Sequence, residues 1–356
     1  MLLAVLGKVA GDSIRRSDDE YLPKISVLVP VYNEESVIKE KLENTLNLKY
    51  PPANIEVIFI SDGSVDQTNE IIKSYQSDII KLITLGERKG KANALNIGLQ
   101  KSKNDIIVFT DASILLDKNS LKEIVQAFFD EKIGCVTGED HIKDSGGEGA
   151  YGRYELWLRN LESKVYSVVG ASGSFYAQRK HLCKPFVEGL APDFLSVLNT
   201  VEKGYRAVAE PRAFGFMTSV KSTADEFNRK TRTLIRGISA IFYKKSLMNI
   251  LKYKAFSFCL ISHKLIRWLV PFFLITLYFS SLIESTNKFY LIFFISQSLF
   301  YFIAILSFYN IASLGERMLG KIALYFSMVN ISIFIAWKRY WSGVRQEIWT
   351  PSKRVE

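Results

Sequence analysis

Apolar positions change their rhythm once along this chain. Up to about residue 250, short β-branched runs alternate with polar stretches of helical spacing; beyond it, apolar segments become long and almost uninterrupted. Ile25–Val31 (ISVLVPV), Ile55–Ile60 (IEVIFI), Ile79–Leu85 and Asp105–Thr110 (DIIVFT) have the length and residue types of strands buried on both faces. Between them, Ser36–Leu46, Gln67–Tyr75 and Ala92–Lys101 read as helices. Strand, polar turn and helix in repeated order predict an α/β fold: a mostly parallel, Rossmann-like sheet with helices on both faces. Such sheets bind ligands beyond the carboxyl ends of their strands. Asn33-Glu34, Asp62-Gly63 and Asp111 fall at three of those ends and are expected on one edge.

The later segments read differently. Ile266–Ile283 has one charge, at its edge, Phe289–Ile311 is 23 residues without any, and Ile322–Trp337 adds 16 more. About 18–20 apolar residues cross a hydrocarbon core, so the first two are expected to span a membrane. The third is shorter and is expected either to span or to lie in the interface. The N-terminal MLLAVLGKVAGDSIRR is too short to span, is interrupted by Lys8 and lacks a clear small-residue cleavage site. It is expected to be an interfacial segment or part of a longer membrane helix, not a signal peptide. The expected division is a lead segment (1–22), an α/β domain (23–245), a basic juxtamembrane segment (246–265), two or three transmembrane helices (266–337) and a basic tail (338–356).

Composition narrows the class. With 48% hydrophobic and 13% aromatic residues, the chain is neither disordered nor collagen-like. Cys135, Cys183 and Cys259 are far apart and not in metal-ligand spacing, which argues against a disulfide framework or structural zinc and for a reducing compartment. The net charge of +10 is concentrated between Lys221 and Arg267, where eleven Lys or Arg stand against Asp225 and Glu226, a local net of +9. A basic stretch beside a span is retained on the cytoplasmic side and attracted to anionic lipids, so membrane lipids are expected partners and nucleic acid is not. The α/β domain is therefore expected in the cytoplasm, on a multi-pass inner-membrane protein. Three full spans, however, would carry the tail cations Lys338, Arg339, Arg345, Lys353 and Arg354 to the other side, against the same rule.

Acidic turns sharing one edge repel one another unless a ligand or a cation offsets them. Carboxylates there can accept from a nucleobase or ribose, or hold a divalent cation carrying a diphosphate. Gly63 permits a close turn and backbone approach. The structural alternative is that each Asp caps the helix that follows it. No Gly-x-Gly-x-x-Gly and no Walker lysine loop is present, which disfavours dinucleotide and ATP-hydrolase chemistry. Lys89-Gly90-Lys91 is a loop cluster able to reach phosphates, or a solvated turn. His141, His181 and His263 stand alone and are expected to be structural, and core packing is expected for at least two of Tyr151, Tyr154 and Trp157.

Taken in order, Pro30-Val31-Tyr32-Asn33-Glu34, Ser61-Asp62-Gly63-Ser64-Val65-Asp66-Gln67-Thr68, Gly90-Lys91-Ala92-Asn93-Ala94-Leu95-Asn96 and Thr110-Asp111-Ala112-Ser113 resemble the successive motifs of family 2 glycosyltransferases. Downstream, Tyr154-Glu155, Arg159, Glu162-Ser163, Gly170-Ala171-Ser172-Gly173, Tyr176-Ala177-Gln178-Arg179 and Pro192-Asp193-Phe194 resemble the acceptor half of the membrane-bound members. So do Gly204-Tyr205-Arg206, Glu226-Phe227, Arg229-Lys230-x-Arg232, Arg236-Gly237, Ser262-His263-Lys264 and Arg267-Trp268. The resemblance covers roughly residues 24–270.

It implies a GT-A fold and transfer of a sugar from a nucleotide sugar, usually a UDP-sugar, to a growing polysaccharide or glycolipid with inversion. By position, the resemblance gives Pro30, Tyr32, Glu34, Asp62, Lys91, Asp111, Ala112 and Ser113 to the nucleotide sugar, with Asp111 at the diphosphate and its Mg²⁺ or Mn²⁺. Asp193 falls at the general base, and Gly173, Arg229, Arg232 and Arg236 fall at the diphosphate or acceptor. The apolar flanks of Asp193, Leu190-Ala191-Pro192 and Phe194-Leu195, would leave its carboxylate partly desolvated. The chain departs from the family pattern where Ser113 replaces the second carboxylate of Asp-x-Asp, and where Pro192-Asp193 replaces an acidic pair. The Gln-x-x-Arg-Trp motif of processive synthases is absent, which disfavours chain extrusion. Single-sugar transfer to a polyprenyl-phosphate or other lipid, or an inactive nucleotide-sugar-binding subunit, remain the alternatives.

Overall fold

The computed structural model describes residues 20–75, 77–142, 147–217 and 223–344; most of the lead segment and the basic tail lie outside the described residues. Strand β1 (Ile25–Val31) leads to α1 (Ile38–Leu46), β2 (Ile55–Ser61), α2 (Thr68–Ser74), β3 (Ile80–Thr84), α3 (Lys91–Lys101) and β4 (Ile106–Thr110). Next come β5 (Leu115–Leu116), α4 (Ser120–Gln126), β6 (Ile133–Ile142), α5 (Gly147–Val165), β7 (Phe175–Arg179), α6 (Pro192–Glu202) and β8 (Arg206–Met217). The strands form one eight-stranded sheet in the order β3-β2-β1-β4-β7-β6-β8-β5.

The α/β fold matches the expectation, and the first four neighbours, β3 to β4, are all parallel. The sheet as a whole is mixed. Strand β7 runs antiparallel to β4 and to β6, and β5 antiparallel to β8. This has a consequence for the site: the start of β7 meets the end of β4, and Asp111 N donates to Ser174 O at 3.0 Å.

Every residue of β1 and β2 is buried. Alternation sorts them onto two cores. Ile25, Val27, Val29 and Val31 pack on one face with Ile38 and Leu42 of α1, while Leu28 faces the other with Leu95 of α3. Continuous apolar runs thus mark strands covered on both sides, as their sequence indicates.

Helix α7 (Thr223–Tyr243) leads out of the sheet to α8 (Ile250–Cys259), a π-helical turn at Leu260–Leu265, and α9 (Ile266–Ile283). Helices α10 (Lys288–Phe308) and α11 (Met318–Trp341) follow. All three apolar stretches are helices long and apolar enough to cross a membrane. The third is not short: α11 has 24 residues and extends four residues beyond the expected segment at each end. Lys321 and Lys338, which bound that segment, do not end the helix, since long side chains can reach water from within it. Trp268 and Trp337 join the α/β core to these helices, with Trp337 Nε1 donating to Trp268 O at 2.8 Å. Gly237 of α7 makes room for this junction, because a Cβ there would lie 2.8 Å from the Trp268 ring.

Candidate active site

The loops after β1 and β2 are built as a pair. Asn33, at φ +50°, donates its N–H to Ser64 Oγ (3.1 Å) and accepts from Val65 N (2.9 Å). Glu34 N donates to Thr68 Oγ1 at 2.8 Å, and Glu35 N to Asp66 Oδ2 at 3.1 Å. Much of the polar content of both motifs is therefore consumed in holding the two loops together.

Asp62 has a similar task. Its buried carboxylate accepts from Lys89 N (2.9 Å) and Gly90 N (2.7 Å), pinning the loop ahead of α3. Gly63, at φ +72°, lets that loop approach; a Cβ would stand 2.8 Å from Arg88 N. The Arg88 guanidinium in turn lies 3.8 Å above the Tyr32 ring. Asp62→Ala strips two amides of their acceptor and is expected to lower stability by about 1–3 kcal/mol per amide, measurable by urea unfolding of the detergent-solubilised chain.

Fixing Gly90 fixes its neighbour. Lys91, first in α3, reaches Asp111 Oδ1 at 2.5 Å. A cleft at this point is lined by Pro30, Lys91, Thr110, Asp111, Gly173, Tyr176 and Asp193, among others. The structure thus brings together five residues chosen from sequence, Pro30, Lys91, Asp111, Gly173 and Asp193, from five separate segments. Ala112 is buried behind Asp111, and Ser113 is partly exposed two residues on. Tyr32, Glu34 and Asp62 stand on the same strand edge but do not line this cleft.

Asp193 sits in the first turn of α6, where the helix dipole favours a carboxylate, after Pro192 at the start. Gly173 faces it: a Cβ at that position would come 3.9 Å from the Asp193 carboxyl carbon. A glycine there leaves the space before this carboxylate open. Among the α7 arginines, Arg236 is the best placed. It is 7% exposed, donates from Nε to Leu190 O (3.2 Å), and keeps a buried Nη2 without a hydrogen-bond partner. Burial lowers its pKa, opposed by the nearby charges of Asp193 and Glu188. Arg232 is also lowered by burial, then by Arg236 and Arg229, so the three guanidiniums, spaced three and four residues apart, share one helix face.

Two site residues were missed from sequence. Lys41 of α1 is buried under the β4 loop and donates to Thr110 Oγ1 (3.0 Å) and Ile114 O (2.7 Å). It shares the buried face of α1 with Ile38, Leu42 and Thr45, but in sequence it is one of four charged residues in that helix, with Lys39, Glu40 and Glu43. Burial brings its pKa down to about 7, against the pull of Asp111. An unfolded lysine holds its proton to about pH 10.5, so the unfolded chain binds more protons between those values and stability rises with pH across that window. Lys41→Met is expected to flatten this rise in thermal melts from pH 7 to 10.5. Asp140, near the end of β6, is the second. It accepts from Ser172 Oγ at 2.6 Å, and that oxygen accepts from Ser174 N and Phe175 N, which shapes the Gly173 loop. Desolvation raises Asp140 to about 6, with Ser172 and Arg159 opposing and Asp111 and Asp193 adding to the rise.

The lone histidines have structural partners: His141 with Glu139, His181 against Tyr205, and His263 with Glu162. Core packing is expected for at least two of Tyr151, Tyr154 and Trp157, but Tyr154 and Trp157 are each 50% exposed on α5, which overturns that expectation. The Tyr151 side chain lies outside the described residues.

The donor set also bears on a divalent cation. Among the described residues there is no group of three or more His, Cys, Asp and Glu able to hold a metal. What the cleft offers is the Asp111 carboxylate, with the Ser113 hydroxyl nearby in sequence. That fits a hard cation such as Mg²⁺ or Mn²⁺, which takes one or two protein carboxylates and completes its shell with phosphate oxygens and water. It does not fit a resident all-protein metal cage.

These features define a class: an α/β domain with an acid- and lysine-lined cleft at the carboxyl edge of parallel strands, packed on membrane-length helices. Residues 26–182 match the family model "Glycosyl transferase family 2". A probable glycosyltransferase, YdaM, of Bacillus subtilis (strain 168) is 37% identical over 133 residues, 36% of this chain and 32% of that protein. The poly-beta-1,6-N-acetyl-D-glucosamine synthase of Staphylococcus aureus (strain COL) is 37% identical over 125 residues, covering 35% of this chain and 30% of the synthase. The chain thus aligns with only about a third of the length of either relative. In fold it is similar to a mannosyltransferase, PcManGT, from Pyrobaculum calidifontis in complex with GDP-Man and Mn²⁺, with a TM-score of 0.73, 20% identity, and 96% and 93% of the two chains covered. Residues 26–182 are thus similar to family 2 glycosyltransferase domains, and the fold of the chain is of the GT-A type.

Proposed function

We propose that the protein is a membrane-bound inverting glycosyltransferase that moves a sugar from a nucleotide sugar, UDP-linked in the first instance, onto a hydroxyl of a glycan or lipid-linked acceptor. The observation that supports this is that Lys91, Asp111 and Asp193 line one cleft. The α/β domain would face the cytoplasm, held at the membrane by its basic juxtamembrane stretch.

In the proposed reaction the acceptor oxygen attacks the anomeric carbon as the bond to the donor diphosphate breaks. The electron pair leaves with the diphosphate, and the acceptor proton passes to Asp193. Lys91 and Arg236 bring positive charge to the cleft where the leaving group becomes more negative. Asp111 with Ser113 would hold a divalent cation, which when bound supplies further charge stabilisation to the diphosphate. Tyr32, Glu34 and Asp62 would form the edge that receives base and ribose. Gly173 leaves room for the acceptor before Asp193, and Arg229 and Arg232 extend the positive face of α7.

The test is a panel of nucleotide sugars incubated with the full chain in membranes, with and without Mn²⁺ or Mg²⁺, scored by nucleoside diphosphate release. Release from one sugar class, stimulated by the cation, is the expected result. No release above a membrane blank from any donor, with and without extracted lipid, would count against the reading.

A further inference from the structure

A second cleft lies where α5 meets the π-helical turn and the start of α9. Glu155, Arg159, Glu162, Gly170, Lys264 and Arg267 line it. Its two carboxylates already have partners. Glu162 meets His263 Nδ1 at 2.6 Å and accepts from Val169 N, and Glu155 meets Arg267 at 3.4 Å. Although burial works to raise it, Glu155 is drawn down to about 2 by Lys264, Arg267 and Arg159, so the surrounding positive charge outweighs desolvation. Two cations remain. Among the described residues neither Arg159 nor Lys264 makes an ion pair or hydrogen bond, and the Lys264 ammonium rests 5.6 Å from the Phe194 ring centroid.

The backbone is arranged to leave this ammonium room. A Cβ on Gly170 would lie 3.3 Å from Lys264 Nζ and 3.4 Å from its Cε. The π-helical turn Leu260–Leu265 carries both His263 and Lys264; such turns break the ordinary helical register and are common at functional sites. Apolar α9 begins immediately after it, and Tyr154 and Trp157 stand exposed on the facing α5, as aromatics do at a membrane surface.

The second cleft is also close to the first. Gly170 borders one and Gly173 the other, and three residues span at most about 11 Å. Phe194, under Lys264, follows Asp193 directly. A group held at Lys264 is therefore within about one or two sugar units of the Asp193 carboxylate.

We propose that Arg159, Lys264 and Arg267 bind the phosphate of a lipid-linked acceptor at the membrane surface, with its sugar extending toward Asp193. The site rests on the glycosyltransferase reading and narrows it to acceptors that carry a phosphate between lipid and sugar. Arginine pairs and lysine points at such a group, and Gly170 keeps the lysine free to do so.

Binding of hexadecyl phosphate to the full chain in phosphatidylcholine nanodiscs tests this, with hexadecanol and inorganic phosphate as comparisons. Hexadecyl phosphate is expected to bind at least about tenfold more tightly than either. Lys264→Gln and Arg159→Gln should each weaken it by on the order of tenfold, with Lys264→Arg restoring it. Nucleoside diphosphate binding, measured on the same samples, should be unchanged in all three and so reports that they are folded. Equal affinity in the glutamine variants, or equal binding of hexadecanol or inorganic phosphate, would overturn the proposal. So would loss of the probe's binding when phosphatidylglycerol replaces part of the phosphatidylcholine, which would mark a seat for bulk lipid headgroups. Failure of the wild-type chain to bind any nucleoside diphosphate would instead bring down the glycosyltransferase reading beneath it.

Discussion

Asp193→Asn is expected to bind donor as the wild type does and to turn it over roughly 10²–10⁴-fold more slowly, the range lost with a general base. Asparagine has the same shape and is also favourable near a helix N-terminus, so α6 should be retained. What disappears is an acceptor for the proton of the attacking hydroxyl. Nucleoside diphosphate release measures the loss, and equilibrium binding of the diphosphate to the same variant shows that the donor site is intact. A variant that loses binding and turnover together would place Asp193 in the donor site and leave the acceptor without a base.

Asp111→Ala is expected to fail earlier, at binding. Its backbone N–H still meets Ser174 O, so the junction of β4 and β7 survives the change. Lys91 loses the carboxylate 2.5 Å from its ammonium, and the cleft loses the one carboxylate the family pattern puts at the cation. Without its carboxylate ligand the cation is lost, so donor affinity in the presence of Mn²⁺ should fall by on the order of 10²-fold, about 2.7 kcal/mol, and the response to the metal should disappear. Titration calorimetry with nucleoside diphosphate, with and without the metal, checks both. Unchanged affinity and an unchanged metal response would remove Asp111 from the donor site.

The contrast with Asp62 is instructive. Sequence places both aspartates at strand ends, and the fold puts both on one edge, yet their surroundings differ. Asp62 spends hydrogen bonds on Lys89 N and Gly90 N and works through the Lys91 it positions, whereas Asp111 lines the cleft itself. Spacing locates an acidic turn; it does not say which backbone amides will close over it.

Legibility followed the range of the interaction. Strand β1 has the bounds its apolar run predicts, and α9 those of its apolar segment, because burial on both faces and a continuous apolar run of membrane-crossing length each leave a local pattern. The antiparallel strand β7 left no such trace. Its pairing joins Ile106 to Arg179, far apart in sequence, and that pairing brings the Gly173 loop to the end of β4, where Asp111 stands. Lys41 and Asp140 were hidden for a related reason. Each stands among other ionisable residues, Lys41 beside Lys39, Glu40 and Glu43 and Asp140 between Glu139 and His141, and its partners, Thr110 and Ile114 for one and Ser172 for the other, lie 32 or more residues away. The α7 arginines were marked by the family resemblance, but their common helix face and the nearness of Arg236 to Asp193 required the fold. The third apolar segment is longer than its charge-free run because α11 continues past the flanking lysines, whose long side chains can reach water.

The most direct measurement is a structure of the full chain with a nucleoside diphosphate and Mn²⁺ added. The diphosphate should lie between Lys91 and Asp111, with its sugar-bearing end facing Asp193 across the opening that Gly173 leaves. A nucleotide bound at another edge of the sheet, or one whose terminal phosphate points away from Asp193, would contradict the assignment of this cleft to sugar transfer.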